Sequence, residues 1–209
     1  MNYEEDYHHY LHEHLLKNKR YYSFRARYAA QNYLKYLPSG KILEFGCGMG
    51  QNILLQKNRA IGCDISEFSR KVCEERGIKT IKSIEEAPKV DGILSVHVLE
   101  HLENPKAILK AFRNKLTPGG RLVIVLPVAC KNKPCPQKKM DVSQHLFAWT
   151  FGTFNNMLLH EGYKVLHNSF NYSRGFSMFY RLPYHLAVIL IKITGVLTNK
   201  KEMIFVARI

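Results

Sequence analysis

Acidic residues are scarce. Seventeen Asp and Glu stand against 31 Lys and Arg in a chain of 209 residues, a formal charge of +14. Such a balance favours an anionic partner, whether nucleic acid, an anionic membrane surface or a phosphorylated acceptor. Cysteine is equally sparse and badly spaced for cross-linking. Cys47, Cys63, Cys73, Cys130 and Cys135 are odd in number and contain no C-x-x-C pair. A disulfide framework and a zinc site are therefore both disfavoured, no metal is expected, and a reducing, cytoplasmic compartment is the expected location. Long apolar runs are missing as well. Leu186 to Leu197 is broken by Lys192 and Gly195 and is too short to span a bilayer comfortably, so an interfacial or core helix is expected there. Met1 to Tyr10 has no apolar stretch of the kind a signal peptide needs. Repeats, low-complexity tracts and the paired strand aromatics of an RNA-binding module are absent too.

What is present is an alternation. Glu4 to Tyr36 reads as helical, broken near Lys17–Tyr21 and stopped at Pro38-Ser39-Gly40. Lys41 to Phe45 is a short apolar strand running into a glycine turn, with a helix expected over Asn52 to Lys57. Further strands are expected at Ala60–Cys63, Ile78–Ile81, Asp91–Val96 and Arg121–Leu126. Helices fall between them at Ser66–Arg76, closed by Gly77, and at Pro105–Leu116. Near-continuous apolar strands separated by helices indicate a parallel sheet covered on both faces. The tail differs: a helix over Thr150–His160, a strand over Tyr163–Phe170, and a last strand over Met203–Ala207.

The glycine turn carries the chemistry. Glu44-Phe45-Gly46-Cys47-Gly48-Met49-Gly50 follows the first strand, and glycines there allow a tight turn and close approach of backbone to a ligand. Asp64 ends the second strand, placed to accept hydrogen bonds from ribose hydroxyls. Two details argue against a nicotinamide cofactor. Gly50 comes one position early for G-x-G-x-x-G. Glu44 would repel a pyrophosphate, yet suits an ammonium or sulfonium cation.

Glu44 to Gly50 resembles motif I of class I S-adenosylmethionine-dependent methyltransferases, and Asp64 in Gly62-Cys63-Asp64-Ile65-Ser66 resembles their motif II acid. Asp91 to Leu102, with Leu99-Glu100-His101, is similar to the fourth-strand motif, and Leu116-Thr117-Pro118-Gly119-Gly120 to the element before strand five. Together these motifs cover Lys41 to Pro127, with a flavour closest to small-molecule enzymes such as the ubiquinone-biosynthesis O-methyltransferases. The resemblance implies a Rossmann-like α/β three-layer sandwich whose seven-stranded sheet has the order 3-2-1-4-5-7-6, with strand 7 antiparallel. It also implies S-adenosylmethionine as methyl donor and S-adenosylhomocysteine as product. Glu44, Gly46, Cys47, Gly48, Gly50, Asp64, Ile65, Val96, His97 and Arg25 are then the expected cofactor contacts. The family often has an Asp after strand three that meets the adenine. Here the segment is Lys82-Ser83-Ile84-Glu85-Glu86, so Ser83 and Ile84 are expected in its place.

For methyl transfer to a hydroxyl, His97 and His145 are the candidate general bases. His145 lies in Asp141–Thr150, which resembles the family's H-x-x-x-(F/W)-(T/S) element. His97 and His101 lie four apart and would share a face if a helix began at once. The alternatives are that His97 is only a cofactor contact and His145 a loop anchor. Cys130 and Cys135 follow strand five without the Thr-Cys pattern of RNA cytosine methyltransferases, and the Asn/Asp-Pro-Pro-aromatic motif of base-amine methylation is absent. One domain is expected over 1–209: a helical cap (1–37), a cofactor-binding core (38–170), an inserted lid or interface segment (171–200) and a last strand (201–209). The expected activity is methylation of a small-molecule acceptor, at a hydroxyl. RNA methylation and a non-catalytic, cofactor-binding interaction protein are the alternatives. The insertion, with Arg174, Arg181, Lys200 and Lys201, fits a substrate lid, a homodimer contact or a membrane-surface helix.

Overall fold

The computed structural model describes residues 15–128 and 144–209. Cys130, Cys135, the lysine cluster at 131–139 and the start of the expected N-terminal helix lie outside them. One sheet carries the order β3-β2-β1-β4-β5-β7-β6. Its strands are β1 (Ile42–Phe45), β2 (Ala60–Cys63), β3 (Lys79–Ile81), β4 (Val90–Val96), β5 (Leu116–Pro127), β6 (Lys164–Tyr172) and β7 (Lys201–Arg208). β1 to β5 are mutually parallel, and β7 runs antiparallel to both β5 and β6. This is the Rossmann-like methyltransferase order that the motifs imply.

Side chains alternate across the central strands, and each face of the sheet gathers its own core. Ile42, Leu94, Val123, Val125, Ile204 and Val206 join one cluster. Their neighbours Leu43, Ile93, Leu122, Ile124, Phe205 and Ala207 join the other. The first face is covered by α1 (Lys19–Asn32), α2 (Glu67–Glu75) and α6 (Tyr184–Leu197), the second by α3 (Pro105–Lys115) and α4 (Phe151–His160). Phe112 and Phe154, both fully buried on the second face, are positions where truncation to Ala costs about 3–5 kcal/mol.

Local chemistry sets the helix ends. The break expected near Lys17–Tyr21 falls at Asn18, whose side chain accepts from Tyr21 N and caps α1. Ser66 caps α2 in the same way, and Gly77, at φ 76°, follows its end. Asn104 caps α3 with Pro105 in its first turn, and Thr150 and Thr153 close a reciprocal box on α4. A short α5 (Phe176–Phe179) precedes α6.

One element differs from the sequence reading. Asn52 to Lys57 forms no α-helix, only a 3-10 turn at Leu54–Gln56 closed by i to i+3 bonds such as Gln56 N to Ile53 O at 2.8 Å. Residues 51–59 alone join the glycine loop to β2, too few for a helix and its return.

Candidate active site

A cavity of about 490 Å³ opens at the carboxyl ends of β1, β2 and β4. That is where parallel α/β sheets bind ligands. Gly46, Cys47, Gly48, Asp64, Ile65, Val96, His97 and Arg25 line it, so eight of the expected residues come together. Gly46 turns at φ 70°, and a Cβ there would lie 2.3 Å from Val98 Cγ2. Gly46 N and Cys47 N both donate to Cys63 O, at 2.8 and 3.1 Å, which curls the loop over the end of β2. Asp64 then clamps it, its two carboxylate oxygens accepting from Gly48 N at 2.8 Å and Ser66 N at 3.0 Å.

Four expected contacts are placed elsewhere. Gly50 faces the core, where an added Cβ would meet Ile78 and Cys73, so its glycine serves packing under the loop. Ile84 is buried in the second core cluster. Ser83 is occupied as the cap of the 3-10 turn Ile84–Glu86, and Lys82 lines the cavity instead. Glu44 is fully buried behind the wall, its Oε1 accepting from Asn52 Nδ2 at 2.6 Å while Oε2 has no hydrogen bond. Burial pushes its carboxyl up to about 8, and the nearby Asp64 adds to this against the opposing Asn52 bond. Asn52, Gln51, Ser66, His101 and Leu102 are cavity residues that the sequence reading missed. Of these only His101, inside Leu99-Glu100-His101, carried a signal.

Two of the three described cysteines, Cys47 and Cys63, are poor nucleophiles. Contact with Cys73, then burial, holds the Cys47 thiol far above its usual range. Burial pushes Cys63 up to about 12.

His97 closes β4 in a left-handed conformation, φ 56°, and no helix follows, only the 3-10 turn Leu99–His101. His97 and His101 therefore do not share a helical face. His97 Nε2 lies 2.9 Å from Glu202 Oε2 on β7, and Nδ1 lies 3.5 Å from Glu100 Oε1. Glu202 is held by Tyr33, whose hydroxyl donates at 2.5 Å, and by Asn171 Nδ2 at 2.7 Å. Desolvation disfavours a charge on His97, but the carboxylates of Glu100 and Glu202 outweigh it and raise the ring to about 9. Burial likewise works against an ionised Glu202. Its bonds to His97, Tyr33 and Asn171 prevail and keep the carboxyl below its usual range. A ring already protonated at neutral pH is a poor proton acceptor.

His101 behaves oppositely. Desolvation, the largest influence, lowers its proton affinity, so it is neutral at pH 7. His145 is exposed and stands outside the cavity wall, its ring edge-on to His101 with centroids 4.8 Å apart. Leu146 N and Phe147 N donate to Glu100 O, at 2.8 and 3.1 Å, and pin that segment to the turn. Glu100, His101 and His145 thus bring three donor atoms within 4.8 Å of one another. Both Glu100 carboxylate oxygens are buried without a hydrogen bond. Two imidazoles and a carboxylate could hold a first-row transition ion; the cysteine pattern does not bear on this cluster.

Residues 18–168 match the model of a methyltransferase domain family. The chain belongs to that family. Solved structures of this fold include a magnesium protoporphyrin IX methyltransferase from Synechocystis and a Burkholderia thailandensis N-methyltransferase, both with bound S-adenosylhomocysteine. An uncharacterised protein of Methanocaldococcus jannaschii is 37% identical over 95 residues, 43% of this chain and 46% of that one. A ubiquinone biosynthesis O-methyltransferase of Idiomarina loihiensis is 27% identical over 107 residues, 44% of each. The matches span less than half the length of these curated relatives. Among solved structures, a SAM-dependent methyltransferase from Archaeoglobus fulgidus superposes with a TM-score of 0.63 at 20% identity, covering 95% of this chain and 98% of that one. At that identity the likeness concerns the fold. The glycine cradle and the Asp64 carboxylate beside it fit a ribose-bearing donor.

Proposed function

We propose that this methyltransferase methylates a hydroxyl of a small-molecule acceptor, with His101 as the group that takes the acceptor's proton. The observation that carries this reading is the contrast between two imidazoles on one cavity wall: His97 held cationic and His101 held neutral. Bound in the cavity, S-adenosylmethionine supplies an electrophilic methyl group on a sulfonium sulfur. Asp64 would accept from the ribose hydroxyls, Arg25 would pair with the amino-acid carboxylate, and Ile65, 71% exposed beside Asp64, would cover the adenine. His97, fixed between Glu100 and Glu202, places positive charge beside the acceptor oxygen. His145 buttresses the His101 ring, a supporting place for the residue that the sequence alone suggests as base.

Label transfer from S-adenosylmethionine to separate pools of hydroxylated metabolites, RNA and lipid tests the acceptor class. Labelling of the hydroxylated pool, with His101→Gln lowering kcat by about 100-fold at unchanged donor affinity, is the expected result. RNA is a second reading, favoured by the excess of 31 basic over 17 acidic residues. Labelling confined to RNA would replace the first.

A further inference from the structure

Helix α6 is turned inside out. Its small residues Ala187 and Gly195, with Ile191, face the protein. A Cβ on Gly195 would come within 2.5 Å of Ser173 N, so the helix lies close on its support. The bulky side chains Leu186, Ile189, Ile193, Val196 and Leu197 are exposed, the last by 80%. Their spacing puts them on one stripe, and exposed Leu182 and Met178 extend it before the helix begins.

The surroundings carry charge of one sign. From Gly162 to Lys201 there is no Asp or Glu, and from Leu15 to Leu43 there is none either. Within the first stretch Arg181, Lys192 and Lys200 are exposed around the stripe. From the second, exposed Arg20 donates to Arg181 O at 2.7 Å, and Arg27 lies 3.9 Å over the Tyr184 ring. The one acid that follows, Glu202, is buried and committed to His97.

We propose that α6 and its cations dock the protein on an anionic phospholipid bilayer, the helix lying in the plane of the headgroups. An apolar stripe rimmed by Lys and Arg is the pattern that partitions to such an interface. Among the described residues no helix is long and apolar enough to cross a membrane, so the helix lies on the surface. A second copy fits poorly as the occupant, because a two-fold contact would set these cations against themselves. RNA would satisfy the cations and leave the stripe in water. α5, which leads into α6, touches a residue of the cavity wall: Arg25 lines the cavity and sits 4.4 Å over the Phe176 ring. The docked face therefore adjoins the cavity. The docking is independent of which acceptor is methylated.

The test is co-sedimentation of the full chain with vesicles of phosphatidylcholine alone and of phosphatidylcholine mixed with phosphatidylglycerol. Salt-sensitive binding to the mixed vesicles, and much weaker binding to the neutral ones, is expected. Removing the cations with Arg181→Gln and Lys192→Gln weakens it about fivefold for each. Replacing the stripe with Leu186→Ser, Ile189→Ser and Ile193→Ser weakens it by more than about tenfold. Thermal melting checks that the variants fold. In a separate Ile189→Trp protein, the added indole emission shifts to the blue on mixed vesicles. Four results overturn the proposal: no vesicle binding, binding indifferent to the stripe, an indole that stays in water, or light scattering that shows a dimer dissolved by the stripe replacements.

Discussion

Glu44→Gln should make the ligand-free protein more stable, and only above a defined pH. The side chain is fully buried, with its carboxyl raised to about 8 against an ordinary value of 4.5 in the unfolded chain. A raised acid carries no penalty below the unfolded value. As pH climbs from about 4.5 toward 8 the unfolded chain releases a proton that the folded one keeps, so stability falls, and it levels off above 8. At 1.36 kcal/mol per pKa unit, the penalty is about 3 kcal/mol at pH 7 and about 5 kcal/mol at pH 9. Glutamine keeps the oxygen that accepts from Asn52 and never ionises. In a chain of this size each kcal/mol moves Tm by roughly 2–4 °C, so the variant should melt about 6–12 °C higher at pH 7 and level with the parent below pH 4.5. Calorimetric melting across that range is the assay. S-adenosylmethionine should meanwhile release close to one proton from the parent on binding at pH 7, read by titration in buffers of different ionisation enthalpy. The variant should release none. Parallel pH profiles for the two proteins would refute the assignment of this carboxyl as a buried, proton-bearing group.

Three further outcomes are expected. Asp64→Asn removes the charge that holds Gly48 N and Ser66 N and should weaken S-adenosylmethionine binding about 10–100-fold, measured by calorimetry. Gly46→Ala forces a side chain onto Val98 at a positive φ and should destabilise the fold by at least about 1–3 kcal/mol, read in urea. Glu202→Gln should bring the His97 titration, followed by NMR, down from about 9 toward its ordinary value. Because the folded ring is raised, its contribution to stability is whole below about 6.5 and is lost as pH passes 9. The variant should forfeit that alkaline decline.

The sheet is legible from sequence because buried parallel strands must be apolar on both faces. Ile42-Leu43 and Leu122 to Leu126 could be nothing else in this setting. The loop is legible because φ above zero at Gly46 and Gly48 requires glycine. What escapes the sequence is whatever depends on a side chain's depth. Glu44 reads as a cofactor contact and lies one layer behind, bonded to Asn52 of the cavity wall. Ser83 and Ile84 read as adenine contacts by position in the chain, yet one caps a turn and the other fills the core. The partner of His97 is Glu202, 105 residues away, and no periodicity announces a pair formed by two strands of opposite direction. The cluster of His101 and His145 likewise exists only because Glu100 O holds the second segment.

The placement of the acids resolves the oddity of a basic protein for a cationic donor. Exposed cations dominate the α1 and α6 face, whereas Glu44, Glu100 and Glu202 are all buried around the cavity. A sulfonium donor bound in the cavity would meet this buried acidity in spite of the cationic surface. His97 belongs to the same arrangement. Its cation offsets the buried Glu202 and keeps that carboxyl from taking up a proton, whereas Glu44, with no cation beside it, holds its own.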